Sequence, residues 1–367
     1  WVPLVVGLLF VVHPTASGVV NYLWARSSLL TASFVLPSIL LFISGRPFGS
    51  AVLFGLALFT KVEAVATLGI FAMWLIVERY EQERLNESQR TPSFVRDLTV
   101  LFEKKSLTRL GPFVLTASLY LWLRAVLLPD FLVAARSDEG MTHLAYLSTQ
   151  VTAWWHYVYL WFAPVGLVSD NLAYPRYGSL LEGPVIVAVG AWLLVGVLVK
   201  WGYRYHVGYA FLAVSALALI SPHSSILPLA EMVNEHRPYL PLAMLSLCWL
   251  IPSVAWFFDG RHCFNRRALG VTGGIAIMVA FSMLTVDRNR DFATWETYWR
   301  DVVAKAPSWR SHLNLGWHEN RQGELKRAEA HFIRALELAP ENLYALSNLG
   351  VVSARLGQPE RALHYHD

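Results

Sequence analysis

A join constrains this chain more than any other feature. Apolar segments of membrane-helix character recur as far as about Val286, and the sequence then turns polar, amphipathic and repetitive. Leu315-Gly316 returns as Leu349-Gly350 and Ala328 returns as Ala362, each 34 residues on. That period belongs to stacked helix pairs, in which small residues let two helices approach and a bulky one fills the groove between them.

The bulk numbers fit the apolar part. At 55% hydrophobic, 15% charged and a mean hydropathy of +0.41, the 367 residues are too apolar for an ordinary soluble domain. The 30 Lys and Arg exceed the 26 Asp and Glu by four, but the positive charges gather in a few loops and form no stripe, so no nucleic-acid partner is expected. Two cysteines, Cys248 and Cys263, cannot build a disulfide framework or a Cys-based metal site. No cofactor can be assigned, and any metal requirement stays open.

A span needs about 20 mainly apolar residues. Candidates lie near 2–12, 28–44, 50–60, 64–77, 111–128, 184–201, 207–220, 239–257 and 268–286. Lys61 and Glu63 separate the short third and fourth candidates, which form either two short spans or one re-entrant hairpin. Counted as two crossings, they give about nine. One face then carries Arg46, the 78–110 loop, Lys200 to Arg204 and Arg261 to Arg267, which the positive-inside rule makes cytoplasmic. The 78–110 loop reads as a solvated connector. The 34-residue repeats fall on the opposite, periplasmic or lumenal, side.

The polar clusters fall on that outer side as well. The densest is Ser221-Pro222-His223-Ser224-Ser225, then Glu231 and Asn234-Glu235-His236-Arg237-Pro238-Tyr239 at the mouth of an apolar helix. Carboxylate, imidazole and guanidinium there are costly unless they face a polar cavity or pair with one another. In a cavity, Arg237 would clamp a phosphate, Glu235 or Glu231 would act as general base, and His236 would move a proton. His13 with Asn21, Tyr22 and Arg26 forms a second cluster, and Lys61 with Glu63 a third; headgroup contact, helix capping or mutual pairing is the plainer account of each. The aromatic run Thr152 to Pro164 suits helices lying on the outer surface, either as an anchor or beside a lipid-linked substrate.

In the repeats, Leu315-Gly316, Ala328, Phe332, Ala335 and Pro340 occupy the positions of a tetratricopeptide (TPR) unit, while His312 and Glu319 replace its usual Trp and Tyr. The fold class expected is all-α: a polytopic membrane domain over 1–286, a connecting helix over 287–308 and incomplete TPR repeats over 309–367. Further natural sequence is expected at both ends.

His13-Pro14, Ala25-Arg26-Ser27-Ser28-Leu29-Leu30, Lys61-Val62-Glu63, Phe162 to Leu167, Asn234 to Pro241, Arg288-Asn289-Arg290-Asp291 and the TPRs, in that order, resemble the transmembrane and TPR-containing O-mannosyltransferases and their bacterial relatives. These are C-type glycosyltransferases. The resemblance covers nearly the whole chain, and the Asn-Glu-His-Arg and Arg-Asn-Arg-Asp blocks are its most specific parts. It implies transfer of mannose or a similar sugar from a polyprenyl-phosphate donor to a protein or peptide acceptor held by the TPRs, in a bilayer, on the outer side. It also implies a catalytic acidic loop upstream of Trp1, which no residue here matches. Glu235 and His236 are then the catalytic candidates, and Arg237, Arg26, Lys61, Glu63 and His13 the donor-phosphate or substrate-binding ones. The competing class is a non-enzymatic membrane scaffold whose TPRs recruit envelope or lumenal proteins, for which an ion-paired knot at Glu235 and Arg237 would speak; a transporter fits less well. A bacterial inner membrane is the expected location, the endoplasmic reticulum membrane if the host is eukaryotic, since the one Asn-x-Ser/Thr site, Asn86 to Ser88, falls on the cytoplasmic side.

Overall fold

Proline, capping residues and long apolar runs write the element boundaries. The computed structural model describes residues 2–86, 97–128, 141–203, 206–222, 232–258 and 264–365. Their regular structure is helical, with no β-sheet among them and a single isolated bridge, Asn171 with Val233. The helices are α1 Val2–Val11, α2 Pro14–Asn21, α3 Arg26–Ile43, α4 Pro47–Thr60, α5 Thr67–Asn86, α6 Lys104–Leu127, α7 His143–Phe162, α8 Gly183–Tyr203, α9 Val207–Ile220, α10 Tyr239–Phe258 and α11 Phe264–Asp291. After them come α12 Trp295–Lys305, α13 Trp309–Gln322, α14 Leu325–Leu338, α15 Leu343–Arg355 and α16 Pro359–His364. Short 3-10 turns occupy Leu23–Ala25, Val62–Ala66 and Thr99–Phe102.

Among the described residues, four helices are long and apolar enough to cross a membrane: α3, α6, α8 and, in α11, Ala268–Asp291. Leu4–Val11 and Pro14–Asn21, bent by 64°, meet the same test only together. The apolar helices at Pro47–Thr60, Val207–Ile220 and Tyr239–Val254 are shorter. Fourteen residues at 1.5 Å each reach about 21 Å, short of the ~30 Å hydrocarbon core, so α4 and α9 need tilt-free thin membrane or a partner helix to complete a crossing. The 78–110 stretch is less of a loop than the sequence suggests: α5 runs on through Asn86, and Arg79 pairs with Glu83 and Glu103 while Arg109 pairs with Glu78.

The chain divides into two compact units. The first holds Trp1–Pro164, Arg176–Ala230 and His236–Ser282; the second holds Val165–Pro175, Glu231–Glu235 and Met283–Asp367. In the first, α3 packs on α4, α4 on α6, and α9 on both α5 and α10. Small residues set the α3–α4 approach: Ser38 Oγ donates to the Ser50 carbonyl and Ser50 Oγ to the Ser38 carbonyl, both at 2.7 Å. Phe42, Phe54, Phe71 and Phe113 fill the space behind them, with ring centroids 4.5 Å apart for Phe42 and Phe71 and 4.4 Å for Phe71 and Phe113. The outward faces of α6, α8 and α11 leave Leu115, Val187, Leu193 and Ile275 exposed, which is the surface a lipid contact requires.

In the second unit, α12 packs on α13, α13 on α14, α14 on α15 and α15 on α16. Thr294 with Thr297 and Ser308 with Ser311 close capping boxes at α12 and α13, and Asn342 caps α15. Gly323 ends α13 at φ +83°, a left-handed position that favours glycine. Gly316 is forced by packing: a Cβ there would stand 2.9 Å from Phe332 Cε1 and 3.2 Å from the Ala328 carbonyl.

Candidate functional site

The expected site residues sort into the two units, and the division falls inside one tetrapeptide. Glu235 belongs to the second unit, whereas His236 and Arg237 belong to the first.

In the first unit, the 3-10 turn at Val62–Ala66 follows α4 and places Lys61 at that helix's C-terminal boundary. Lys61 Nζ donates to Ser28 Oγ at 3.0 Å, and Thr31 and Thr60 hydroxyls meet at 2.7 Å, so the start of α3 and the end of α4 are tied side by side. Glu63 lies in the same 3-10 turn, half-buried. The 232–238 segment brings His236 within 6.3 Å of the Tyr22 ring, centroid to centroid. Burial, then the positive charges of Lys61 and Arg237, push the His236 imidazole down to about 3 from 6.5, so it is neutral at pH 7. Arg237 is buried and its Nη1 donates to the Tyr146 hydroxyl at 3.5 Å. Residues 22, 28, 61, 146, 236 and 237, far apart in the sequence, thus belong to one polar neighbourhood. Arg26 is exposed and its Nε donates to the Val20 carbonyl at 3.3 Å.

His13 is placed otherwise. Its Nδ1 accepts from the Thr15 backbone N–H at 3.3 Å as the N-cap of α2, which leaves Nε2–H to donate to the Trp161 carbonyl at 2.8 Å. The ring stacks on Trp161 at 3.9 Å. Every polar atom of His13 is used in holding α1, α2 and α7, which describes a structural pin. The neighbouring cavity, about 670 Å³, is almost wholly apolar, lined by Leu9, Trp161, Trp249, Phe257, Gly270 and Phe281 among others. The aromatic run in α7 is likewise spent partly on packing: the Trp155 indole donates to the Ala188 carbonyl and the Trp192 indole to the Val151 carbonyl, both at 3.2 Å, joining α7 to α8.

In the second unit, Glu235 meets a residue that sequence reasoning valued only for its motif. Arg288 Nη2 lies 3.2 Å from both Glu235 carboxylate oxygens and 2.6 Å from Ser169 Oγ, while Nη1 reaches Asp291 at 2.8 Å and Asp301 at 2.6 Å. Burial pushes the Glu235 carboxyl up, and Arg288 opposes that shift. Lys305 adds a second cation on Asp301, and Arg310 pairs with Asp170. A carboxylate held in this way is a poor candidate for a general base. His223, Ser224, Ser225, Glu231 and Cys263 lie outside the described residues. Among the described residues no group of three or more His, Cys, Asp or Glu could hold a metal ion.

No family model, curated protein or solved structure matches the chain.

Proposed function

We propose that the protein is a polyprenyl-phosphate-dependent membrane glycosyltransferase, with the neighbourhood of Lys61, His236 and Arg237 as its donor-phosphate site. The observation that carries this reading is the gathering of Lys61, bonded to Ser28, and Arg237, bonded to Tyr146, about the half-buried His236, whose ring lies 6.3 Å from that of Tyr22. Such a concentration of positive potential suits a lipid-linked phosphate, which Arg237 would grip with a planar fork and Lys61 as a point charge. The apolar cavity in the same unit suits an isoprenoid tail. In the reaction, an acceptor hydroxyl would attack the anomeric carbon, its proton passing to a carboxylate. The carbon–oxygen bond to phosphate would break with its electron pair leaving on the phosphate, where Arg237 and Lys61 stabilise the charge. The membrane domain, the TPR repeats on the outer side and a protein or peptide acceptor belong to the same reading, as does a bacterial inner membrane.

The protein in vesicles, given radiolabelled polyprenyl-phosphate mannose and a Ser/Thr peptide, should transfer label. Arg237→Lys should lower kcat by about 100-fold, the scale of losing one well-placed charge-stabilising donor, and Lys61→Met by a similar amount. Transfer by both variants at the rate of the unaltered protein would sink the assignment.

One observation favours a second reading. The ionic knot around Arg288 is what a non-enzymatic TPR scaffold needs, and no sugar chemistry is required to explain it. The transfer assay separates the two.

A further inference from the structure

The apolar stretch of α5 ends at Val77, and that of α9 begins at Val207. Beside these two ends the first unit holds a cavity of about 320 Å³, lined by Glu81, Arg84, His206, Val207, Tyr209 and Phe211 among others. It is remote from Lys61, which precedes α5: the helix climbs about 20 Å from Thr67 to Glu81. The cavity has an apolar floor, with Val207 and Phe211 buried, and a charged rim. Glu81 and Arg84 pair there one turn apart at 3.9 Å, with side chains 51% and 60% exposed. A pair so long and so wet contributes little, so a ligand that gives each member a closer partner displaces it easily.

The depth suits a lipid headgroup. At 1.5 Å per residue, Glu81 stands about 6 Å beyond Val77. That lies within the headgroup layer, which is about 5–8 Å thick on each face of a bilayer. Helical side chains lean toward the N-terminus of their helix, here back toward the apolar stretch, so Arg84, one turn further out, reaches the same layer.

The chemistry narrows the headgroup. A carboxylate beside a guanidinium matches a zwitterion whose ammonium and phosphate are joined by a short bridge. The ammonium would donate to Glu81, the phosphate would accept from Arg84 and from an imidazole N–H of His206, and an acyl chain would lie along Phe211 and Leu212. An anionic headgroup without an ammonium sets its phosphate against the Glu81 carboxylate with nothing to offset it. Choline carries methyl groups where Glu81 needs N–H donors. A free headgroup has no use for the apolar floor.

We propose that this cavity binds phosphatidylethanolamine, with Glu81 holding the ammonium and Arg84 the phosphate. The site rests on the membrane half of the reading above and on no step of sugar transfer. Resistance of the protein to alkaline extraction from membranes tests that half, and headgroup selectivity tests the site.

The test is native mass spectrometry of the full chain in a mild non-ionic detergent, titrated with an equimolar mixture of dioleoyl phosphatidylethanolamine, phosphatidylcholine and phosphatidylglycerol. Phosphatidylethanolamine should be retained about tenfold more than either competitor, as one or two charge-assisted hydrogen bonds require. Glu81→Gln should abolish that preference, whereas Arg84→Gln should weaken all three lipids alike. Stepwise N-methylation of phosphatidylethanolamine should lower its retention in steps on the unaltered protein, and this series decides even if Glu81→Gln fails to fold. Equal retention of the three lipids, preference for phosphatidylglycerol, a preference that survives Glu81→Gln, or displacement of the lipid by soluble glycerophosphoethanolamine would each overturn the proposal.

Discussion

Arg288 shows how much one guanidinium can organise. It is 4% exposed and touches Glu235, Ser169, Asp291 and Asp301, and its guanidinium carbon sits 4.9 Å from the Phe292 ring centroid. Removing one partner from a buried ionic cluster strands the others, at a cost of roughly 3–5 kcal/mol, whereas the intact cluster contributes far less than its Coulomb energy. Arg288→Met, which keeps much of the volume and none of the charge, should therefore lower the thermal midpoint of the second unit sharply, and Arg288→Lys should lower it less. A melt of Arg288→Met that overlays the unaltered protein would show the cluster to be loosely made. The sequence flags Arg288-Asn289-Arg290-Asp291 as a motif, but its partners Ser169 and Glu235 lie 119 and 53 residues away, and nothing in a single sequence pairs them. His13 misleads in the opposite direction. A histidine before a proline among polar residues reads as a ligand, yet its ring nitrogens serve Thr15 and Trp161. Lys61, His236 and Arg237 were legible as residue types, and their meeting with Tyr22 and Tyr146 was not.

Helices carry the more legible information, because apolar runs, prolines and caps are local. The apolar candidates largely coincide with helices, the one at 64–77 beginning in the 3-10 turn Val62–Ala66, but among the described residues only four helices are long and apolar enough to cross alone; the 34-residue period marks residues whose packing now has a geometry. Gly316 faces Phe332 so closely that an added methyl must move the ring or part α13 from α14. Gly316→Ala should destabilise the repeats by about 1–3 kcal/mol despite its better helix propensity, seen as an earlier melt; an unchanged or raised midpoint would mean that Phe332 yields without cost. His312 and Glu319 in α13 have their own consequence. His312 Nδ1 meets His331 Nδ1 at 2.9 Å, so one ring donates and the other accepts, and His331 Nε2 lies 3.7 Å from Glu319. Burial first, then His331 and Arg334, push His312 down to about 4 against the pull of Glu337, and burial lowers His331 while Glu319 opposes and Arg300 assists. Both folded-state values lie below the unfolded value near 6.5. The unfolded chain therefore binds more protons as pH falls through the window from 6.5 to about 4, and stability is lost there and flat above it. After allowance for solvent screening the loss is about 1 kcal/mol. His312→Leu should flatten that slope in melts taken between pH 7 and 4; an equal slope would place the titration elsewhere.

Across the whole molecule, the uneven helix lengths bear on the sidedness that the proposed function requires. Between Arg46 and the repeats lie α6, α8 and α11, each long enough to cross alone, and two sequential pairs of which one or both members are short, α4 with α5 and α9 with α10. Where a pair crosses and returns, or enters and turns back, it does not change the side on which the chain continues. The parity is odd on every such count. On the proposed reading, Arg46 and the repeats would then face opposite sides of the bilayer, and the clustering of Lys and Arg on the Arg46 side would make that side cytoplasmic by the positive-inside rule. With Cys248 and Cys263 replaced by Ala, a membrane-impermeant maleimide should label Glu360→Cys from outside in intact cells and Arg46→Cys only after permeabilisation. Labelling of both from one side would mean that one of the three long helices does not cross, and the reversed pattern would mean that the charge rule misorients the chain. The depth of the Lys61, His236 and Arg237 neighbourhood follows from the same pairs. If α4, α5, α9 and α10 cross fully, it opens at the outer surface, where a lipid phosphate lies; if they turn back, it sits deeper, where buried cations cost several kcal/mol and only a strongly anionic ligand would offset them.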